Sequence, residues 1–356
     1  MDMPLAPAPL LAVLRELAAG QTLDTVRIAL ATGLDEALIE AAQPQLVDHG
    51  VLRDESGLWH APAGVDLLDR GRLDLLLAAA GPRTCRTQIL GVTGSTNDDA
   101  RELLERVADE ATRPRVVLAE AQVAGRGRRG KNWQSPVASN LYLTQIEPLA
   151  GGPESAGGLS LVMGVAVADA LERLHGIDVA LKWPNDLLVG GRKLGGILVE
   201  LAMARGRCHA LIGIGVNVRL PGYVARAIDQ PWIDLAALGV RAPARNETAA
   251  ALISSVRAMA QTFRGHGFDA RLRARWQARD PFFGREVIVS GRDDVITGIA
   301  RGIDDSGELL VDTPRGRRSV GAGEVSIRLA DDPQASPHAW ADAAASGDAH
   351  VVEHDG

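Results

Sequence analysis

Seven consecutive residues, Gly125-Arg126-Gly127-Arg128-Arg129-Gly130-Lys131, place four cations among three glycines. Glycine lets a backbone approach a ligand closely and leaves its N–H groups free to point inward, while arginine binds phosphate oxygens bidentately. A loop of this kind suits a phosphate chain, and a solvated basic loop is the plain alternative. The same glycines satisfy the dinucleotide fingerprint, which needs a strand before it and a helix opening at its last glycine. Residues 115–122 are β-favourable, but Trp133-Gln-Ser-Pro136 breaks the chain where that helix would open, and 140–146 reads as another strand. The dinucleotide reading therefore falls.

Three more segments carry groups able to do chemistry. Ser95-Thr96-Asn97 stands at a helix start, which an N-cap explains without any further role. In Lys182-Trp183-Pro184-Asn185-Asp186, a hairpin turn accounts for the proline, asparagine and aspartate but not for the lysine and tryptophan before them. Arg192-Lys193-Leu194-Gly195-Gly196 leads a lysine into a strand followed by two glycines. That pattern fits either a backbone leaving room for a ligand or a hairpin-tip lysine in solvent. Gln122 ends the strand before the Gly/Arg loop, so a central sheet would bring all four segments together.

The elements that must position these groups form an α+β pattern. With 356 residues there is room for two or three domains, and 46% hydrophobic but only 3% aromatic residues leave alanine, leucine and valine to fill the core. Residues 1–72 have the outline of a winged helix-turn-helix-like unit. Helices are expected over 10–19 and 23–32, a third runs from Asp35 towards His49 with Pro44 interrupting it, and a short hairpin turns at 54–57. Residues 75–279 read as a mixed, antiparallel-rich sheet with helices, including a cap at Ser95 for a helix to about 107 and an apolar helix over 157–174. A meander follows at 179–183, 187–189, 194–201 and 209–219, and helices return between 247 and 277. Residues 283–329 fit a small SH3-like β-barrel.

The tail, 330–356, holds six acids and no Lys or Arg, which accounts for all but one unit of the net charge of −7. It is expected to be disordered, and nothing global suggests a polyanion binder. Cys85 and Cys208 lie far apart without metal-like spacing and read as ordinary reduced thiols. Without a signal peptide or an apolar run near 18 residues, a cytoplasmic protein with no membrane partner is expected.

Together the segments resemble the biotin protein ligases, specifically the bifunctional bacterial form that doubles as biotin operon repressor. The resemblance rests on Ser95-Thr96-Asn97, the Gly125–Gly130 loop with Trp133 and Ser135-Pro136, Lys182-Trp-Pro-Asn-Asp186, Arg192-Lys193-Leu-Gly-Gly-Ile197 and Gly213-Ile-Gly-Val-Asn217. It is strong over about 88–220, matches the C-terminal segment in length and placement, and matches the N-terminal unit only in outline. The Arg-Arg-x-Ser-Gly-Gly-Gly loop typical of lipoate ligases is absent.

The resemblance implies a two-step reaction. Biotin and Mg-ATP give biotinyl-5′-AMP and pyrophosphate; a lysine of the biotin carboxyl carrier protein of acetyl-CoA carboxylase then attacks the anhydride. By similarity, Ser95, Thr96, Asn97 and Gln122 bind the biotin head, with Gly127 and Gly196 completing that site. Arg126 and Arg128 close over the acid chain and adenylate, and Lys193 neutralises and aims the carboxylate; these three are the catalytic candidates. Gly125, Arg129, Lys182 and Asn185 face ATP. Trp232 corresponds to the tryptophan of the family's adenylate-covering loop, and Asp186 is either a Mg²⁺ neighbour or a turn residue.

Repression leaves two readings open. The helix from Asp35 to His49 should enter DNA, yet it holds Asp35, Glu36, Glu40 and Asp48 and no Lys or Arg. One reading is a ligase whose DNA-binding domain is degenerate, with Arg27, Arg53, Arg70 and Arg72 as its residual phosphate contacts. The other is a ligase that also represses biotin-synthesis genes as an adenylate-bound homodimer.

Overall fold

The computed structural model describes residues 5–18, 20–81, 85–106, 115–242, 244–291, 295–323 and 326–330. The acidic tail beyond 330 lies outside the described residues. Contacts divide the chain into two compact units, one of 1–281 with 305–307 and one of 282–304 with 308 onward.

The first unit opens with α1 (Pro7–Ala18), α2 (Thr25–Thr32), α3 (Glu36–Ala41) and α4 (Gln43–Asp48), then a hairpin of β1 (Leu52–Arg53) and β2 (Trp59–His60), then α5 (Arg70–Ala79). Local chemistry sets these boundaries. Asp24 and Asp35 accept from the backbone N–H groups of Arg27 and Ala37, and Gly33 closes α2 in the left-handed region at φ 72°. The helix expected from Asp35 to His49 is two helices. Ala42 ends α3 and begins α4, and Pro44, with no N–H to donate back, falls in the first turn of α4, where its missing donor costs nothing. Leu10, Leu14, Leu17, Ile28, Ile39, Leu46 and Trp59 form the core of this part, together with Ala121, Val137 and Ala138 from the central sheet region.

That region contains β3 (Arg86–Thr93), α6 (Thr96–Arg106), β4 (Arg115–Gln122), β5 (Leu141–Pro148), α7 (Leu159–His175), β6 (Ala180–Lys182), β7 (Asp186–Val189), β8 (Arg192–Ala204) and β9 (Arg207–Val216). Then come α8 (Gly222–Ala225), α9 (Arg245–His266) and α10 (Ala270–Gln277). The seven strands run in the order β3-β4-β5-β9-β8-β7-β6. β3 and β4 are parallel and all other neighbours antiparallel. β4 and β5 are buried along almost their whole length, and they bury polar as well as apolar residues, Glu120, Thr144, Gln145 and Glu147 among them. The stretch Pro153–His175, which contains α7, is long and apolar enough to cross a membrane, but most of it is buried, as in the core helix of a globular unit.

A buried clasp fastens the segment before α5 to the sheet. Glu120 on β4 and Arg245 on α9 pair at 2.7 Å with side chains 3% and 1% exposed. Arg245 also donates to the carbonyls of Asp66 and Asn140, and Glu120 accepts from Leu68 N. An ion pair this dry is tolerable only because nearly every donor and acceptor in it is used.

The second unit is an antiparallel sheet of β10 (Glu286–Ser290), β11 (Val295–Ile303), β12 (Leu309–Thr313), β13 (Gly316–Val320) and β14 (Ser326–Leu329), in the order β13-β12-β11-β10-β14. Val287, Val289, Ala300, Val311 and Ile327 are buried within it.

Candidate active site

The first cluster forms where β3 hands over to α6. Ser95, Thr96 and Asn97 are all buried, at the helix start that an N-cap alone would explain. Their hydrogen bonds reach much further than a cap. Thr96 N and Oγ1 donate to Gln122 Oε1 at 2.8 and 3.1 Å, and Gln122 Nε2 donates to Ser135 Oγ at 3.0 Å. From β5, the Thr144 hydroxyl lies 2.8 Å from Thr96 Oγ1 and 2.6 Å from Asn97 Oδ1. Asn97 Nδ2 is buried with no hydrogen-bond partner among the described residues. A buried orphan donor costs about 1–3 kcal/mol, and a ligand acceptor would remove that cost.

The Gly/Arg loop is a hairpin closed on itself. Trp133 N donates to Gly125 O at 2.9 Å, Gly127 N to Lys131 O at 2.7 Å, and Arg126 bridges Asn132. Only one 3-10 turn, Arg128–Gly130, stands where a dinucleotide helix would open, and Arg129 sits in the left-handed region at φ 62°. Arg126 is engaged at the rim of the first cluster. Its Nη1 and Nη2 fork onto Asp98 Oδ2 and Oδ1 at 2.7 and 2.6 Å, and this hydrogen bonding holds the Asp98 carboxyl below its ordinary range. Arg128 is half-buried. Burial pulls its guanidinium pKa down, and the charge of Asp186 acts in the opposite direction. Arg129 and Lys131 face solvent.

The second cluster centres on Lys193 at the start of β8. Its Nζ lies 2.7 Å from Asp186 Oδ1 and 5.6 Å from the centroid of the Trp133 ring. Its main chain pairs with the segment carrying Trp232: Lys193 N donates to Pro231 O at 2.9 Å and Ile233 N donates to Lys193 O at 3.0 Å. Lys131, Trp133, Lys193, Asn217, Asp229 and Trp232 line a cavity of about 420 Å³. Asn217 holds the Trp232 segment, donating to Ile233 O at 3.1 Å.

Two glycines on β9 join the clusters. A Cβ on Gly213 would lie 2.5 Å from Asn97 Oδ1, and one on Gly215 would lie 2.5–2.7 Å from the Trp133 indole. Alternation puts these positions on one face of the strand, about 7 Å apart. Asn97 and Trp133 therefore sit side by side on a floor without side chains, with Lys193 beyond. Gly196, opposite Asp186, differs: the nearest atom to a Cβ there is 3.6 Å away, an ordinary contact. The protein itself does not demand glycine at that position.

Of the expected site residues, the fold thus gathers Ser95, Thr96, Asn97, Gln122 and Gly125 at one end and Lys193, Asp186 and Trp232 at the other. Lys182 faces Asp186 across the β6–β7 hairpin. Asn185 fastens that turn, its Nδ2 donating to Ile197 O at 2.8 Å and its carbonyl accepting from Ile197 N at 3.0 Å. Four participants were not singled out in advance with a role: Asp98, Trp133, Thr144 and Asn217. Trp133 and Asn217 stand within motifs already quoted, but Asp98 and Thr144 show their part only through long-range contacts. No group of three metal-ligating side chains occurs among the described residues. A carboxylate such as Asp186 would be lent to a Mg²⁺ arriving on nucleotide phosphates, a common arrangement for that ion.

Residues 91–217 match the biotin/lipoate A/B protein ligase family, and residues 282–328 match the biotin protein ligase C terminal domain. The chain is 38% identical over 274 residues to the bifunctional ligase/repressor BirA of Salmonella typhimurium, spanning 77% of this chain and 82% of that one. It is 37% identical over 265 residues to the biotin–[acetyl-CoA-carboxylase] ligase of Mycobacterium tuberculosis, covering 72% and 95%. Among solved structures, the biotin protein ligase of Aquifex aeolicus in complex with biotin and ATP superposes with a TM-score of 0.57 at 25% identity, covering 68% of this chain and 99% of that chain.

Proposed function

The chain belongs to the biotin/lipoate A/B protein ligase family, and from that premise we propose how its two clusters divide the work of a biotin protein ligase. The enzyme is an ATP-dependent biotin–[acetyl-CoA-carboxylase] ligase. A biotin carboxylate oxygen attacks the α-phosphorus of ATP, the bond to pyrophosphate breaks, and biotinyl-5′-AMP forms. The amine of a carrier lysine then attacks the acyl carbon, AMP leaves with the bonding electrons, and the nitrogen loses a proton.

Ser95, Thr96, Asn97 and Gln122 are assigned to the biotin head, where the unpartnered Asn97 Nδ2 supplies a donor for the ureido oxygen. The acid chain then crosses Gly213 and Gly215 towards Lys193. There the ammonium offsets the repulsion between carboxylate and phosphate, Arg128 receives charge as pyrophosphate leaves, and Trp232 covers the nucleotide. Gly127 and Gly196 leave room for the ligand; Gly125, Arg129, Lys182 and Asn185 border the triphosphate. Asp186 would lie beside a Mg²⁺ brought by the nucleotide, which would supply further charge neutralisation.

The observation that carries this reading is the position of Lys193. One residue meets Asp186, lies near the Trp133 ring and pairs through its backbone with the Trp232 segment. Biotin-dependent release of pyrophosphate from ATP tests the reaction, and none from folded protein would refute it. Lys193→Ala should lower adenylation about 30- to 1,000-fold, the loss of about 2–4 kcal/mol of transition-state stabilisation. Transfer from added biotinyl-5′-AMP should suffer far less. Equal loss in both steps would remove Lys193 from the carboxylate.

The wider assignments belong to the same proposal. Residues 1–72 are taken as a winged helix-turn-helix-like unit, 75–279 as the catalytic domain and 283–329 as an SH3-like domain. The partner is a biotin carboxyl carrier protein, and the enzyme works in the cytoplasm. Relatives named as ligase/repressors favour a second reading, an adenylate-bound homodimer on DNA.

A further inference from the structure

Arg126, assigned to the ligand by its place in the Gly/Arg loop, is paired with a carboxylate of the protein. Both of its terminal nitrogens are taken by Asp98, at 2.7 and 2.6 Å, in the same fork that a phosphate would accept. Asp98 occupies the first turn of α6, directly after Asn97, so the pair ties the loop to the rim of the biotin-head cluster. The main chain at Arg126 is fixed by its bridge to Asn132, so an exchange of partners needs only a side-chain rotation.

We propose that Asp98 is a positioning residue that competes with the anionic adenylate for Arg126 and so sets how long the enzyme retains biotinyl-5′-AMP before transfer. The proposal rests on the ligase reading above. The pair lies open, with side chains 36% and 56% exposed, and such pairs contribute little to folding, so a phosphate can displace the carboxylate. Asp98 is not stranded when displaced. It stays in the first turn of a helix, where a carboxylate is stabilised by the N-terminal dipole, and Arg101 acts on it electrostatically. A retained but releasable adenylate suits an enzyme that must hold a hydrolysable anhydride until a carrier lysine arrives.

The test uses Asp98→Asn, which keeps the shape and removes the charge. Enzyme loaded with labelled biotin and Mg-ATP is chased with unlabelled biotin, and the half-life of bound adenylate is measured. The neutralised latch should lengthen that half-life about two- to fivefold, as expected for removing an exposed ion pair that competes for Arg126. Adding Asp98→Asn to Arg126→Ala should then change nothing further. An unchanged or shortened half-life in Asp98→Asn overturns the proposal, a shortened one making the pair a simple brace. An Arg126→Ala enzyme that retains adenylate as wild type does also overturns it, because Arg126 would not touch the ligand. A wild-type protein that forms no adenylate refutes the ligase reading and the latch with it.

Discussion

At Gly196 the protein and its ligand make separable demands. The residue faces Asp186 across two strands, and a methyl group there would meet nothing nearer than 3.6 Å. Gly215 contrasts with it, since the Trp133 indole leaves no space for a Cβ. Gly196→Ala should therefore leave the melting temperature of the ligand-free enzyme within about 2 °C of wild type, the change expected of a substitution without a clash. The KM for biotin should rise severalfold, because the added methyl group enters the path between the two clusters. Calorimetry of the free protein together with steady-state adenylation checks both halves. A large loss of stability, or an unchanged KM, would show that no ligand passes there.

At the scale of elements, the segment from Pro231 to Ile233 behaves as a short added strand beside Lys193, and Asn217 is its fastening. Asn217 is 5% exposed, so Asn217→Ala leaves the Ile233 carbonyl without that donor at a cost of about 1–3 kcal/mol. The loss should fall mainly on the Trp232 segment, with faster amide exchange there, a raised KM for ATP and little change in the KM for biotin. Equal change in both constants would place the effect on the whole site.

Much of the element pattern was legible because its causes are local. Asp35 marks a helix start by its own hydrogen bond, Pro44 announces the break between α3 and α4, and the β-favourable residues of 115–122 form β4. The insertion of β9 between β5 and β8 was not legible, nor was the Glu120–Arg245 clasp. Both depend on contacts between residues far apart in the chain. The motif residues were found by type and spacing, yet Arg126 pointing to Asp98 and Trp133 lying on Gly215 exist only after the sheet has assembled.

For the molecule as a whole, the N-terminal helices are joined to the catalytic sheet by buried polar groups, and this makes stability depend on pH. His49, at the end of α4, is buried and held down to about 4, first by burial and then by the charges of Arg245 and Arg219. The folded state thus favours neutral imidazole, and between about pH 4 and the ordinary histidine value the unfolded chain binds more protons. Stability should fall as pH drops through that window, by up to about 1.4 kcal/mol per pH unit for one proton. Glu147, whose carboxyl is pushed up by burial, works in the opposite sense, so the wild type must be compared with His49→Asn. Urea midpoints at pH 7 and pH 5 should drop further in the wild type than in the variant. Equal drops would show that His49 does not carry the effect.

The same N-terminal surface argues against DNA. α3 and α4 present Glu36, Glu40 and Asp48 beside the cap Asp35, and four arginines of the N-terminal region stand beside carboxylates. Arg53 forks onto Glu40, Arg27 lies 3.8 Å from Asp24, Arg70 lies 3.6 Å from Asp74, and Arg72 pairs with Glu247. Such exposed pairs exchange readily, but the acids of α3 and α4 would repel phosphate, so few phosphates would be neutralised and binding should show a shallow dependence on salt. Saturated with biotin and Mg-ATP and offered sheared genomic DNA near physiological salt, the protein should enrich no site. Enrichment of a palindrome beside biotin-synthesis genes would instead require this acidic face to turn away from the groove, and the enzyme would then be a repressor as well.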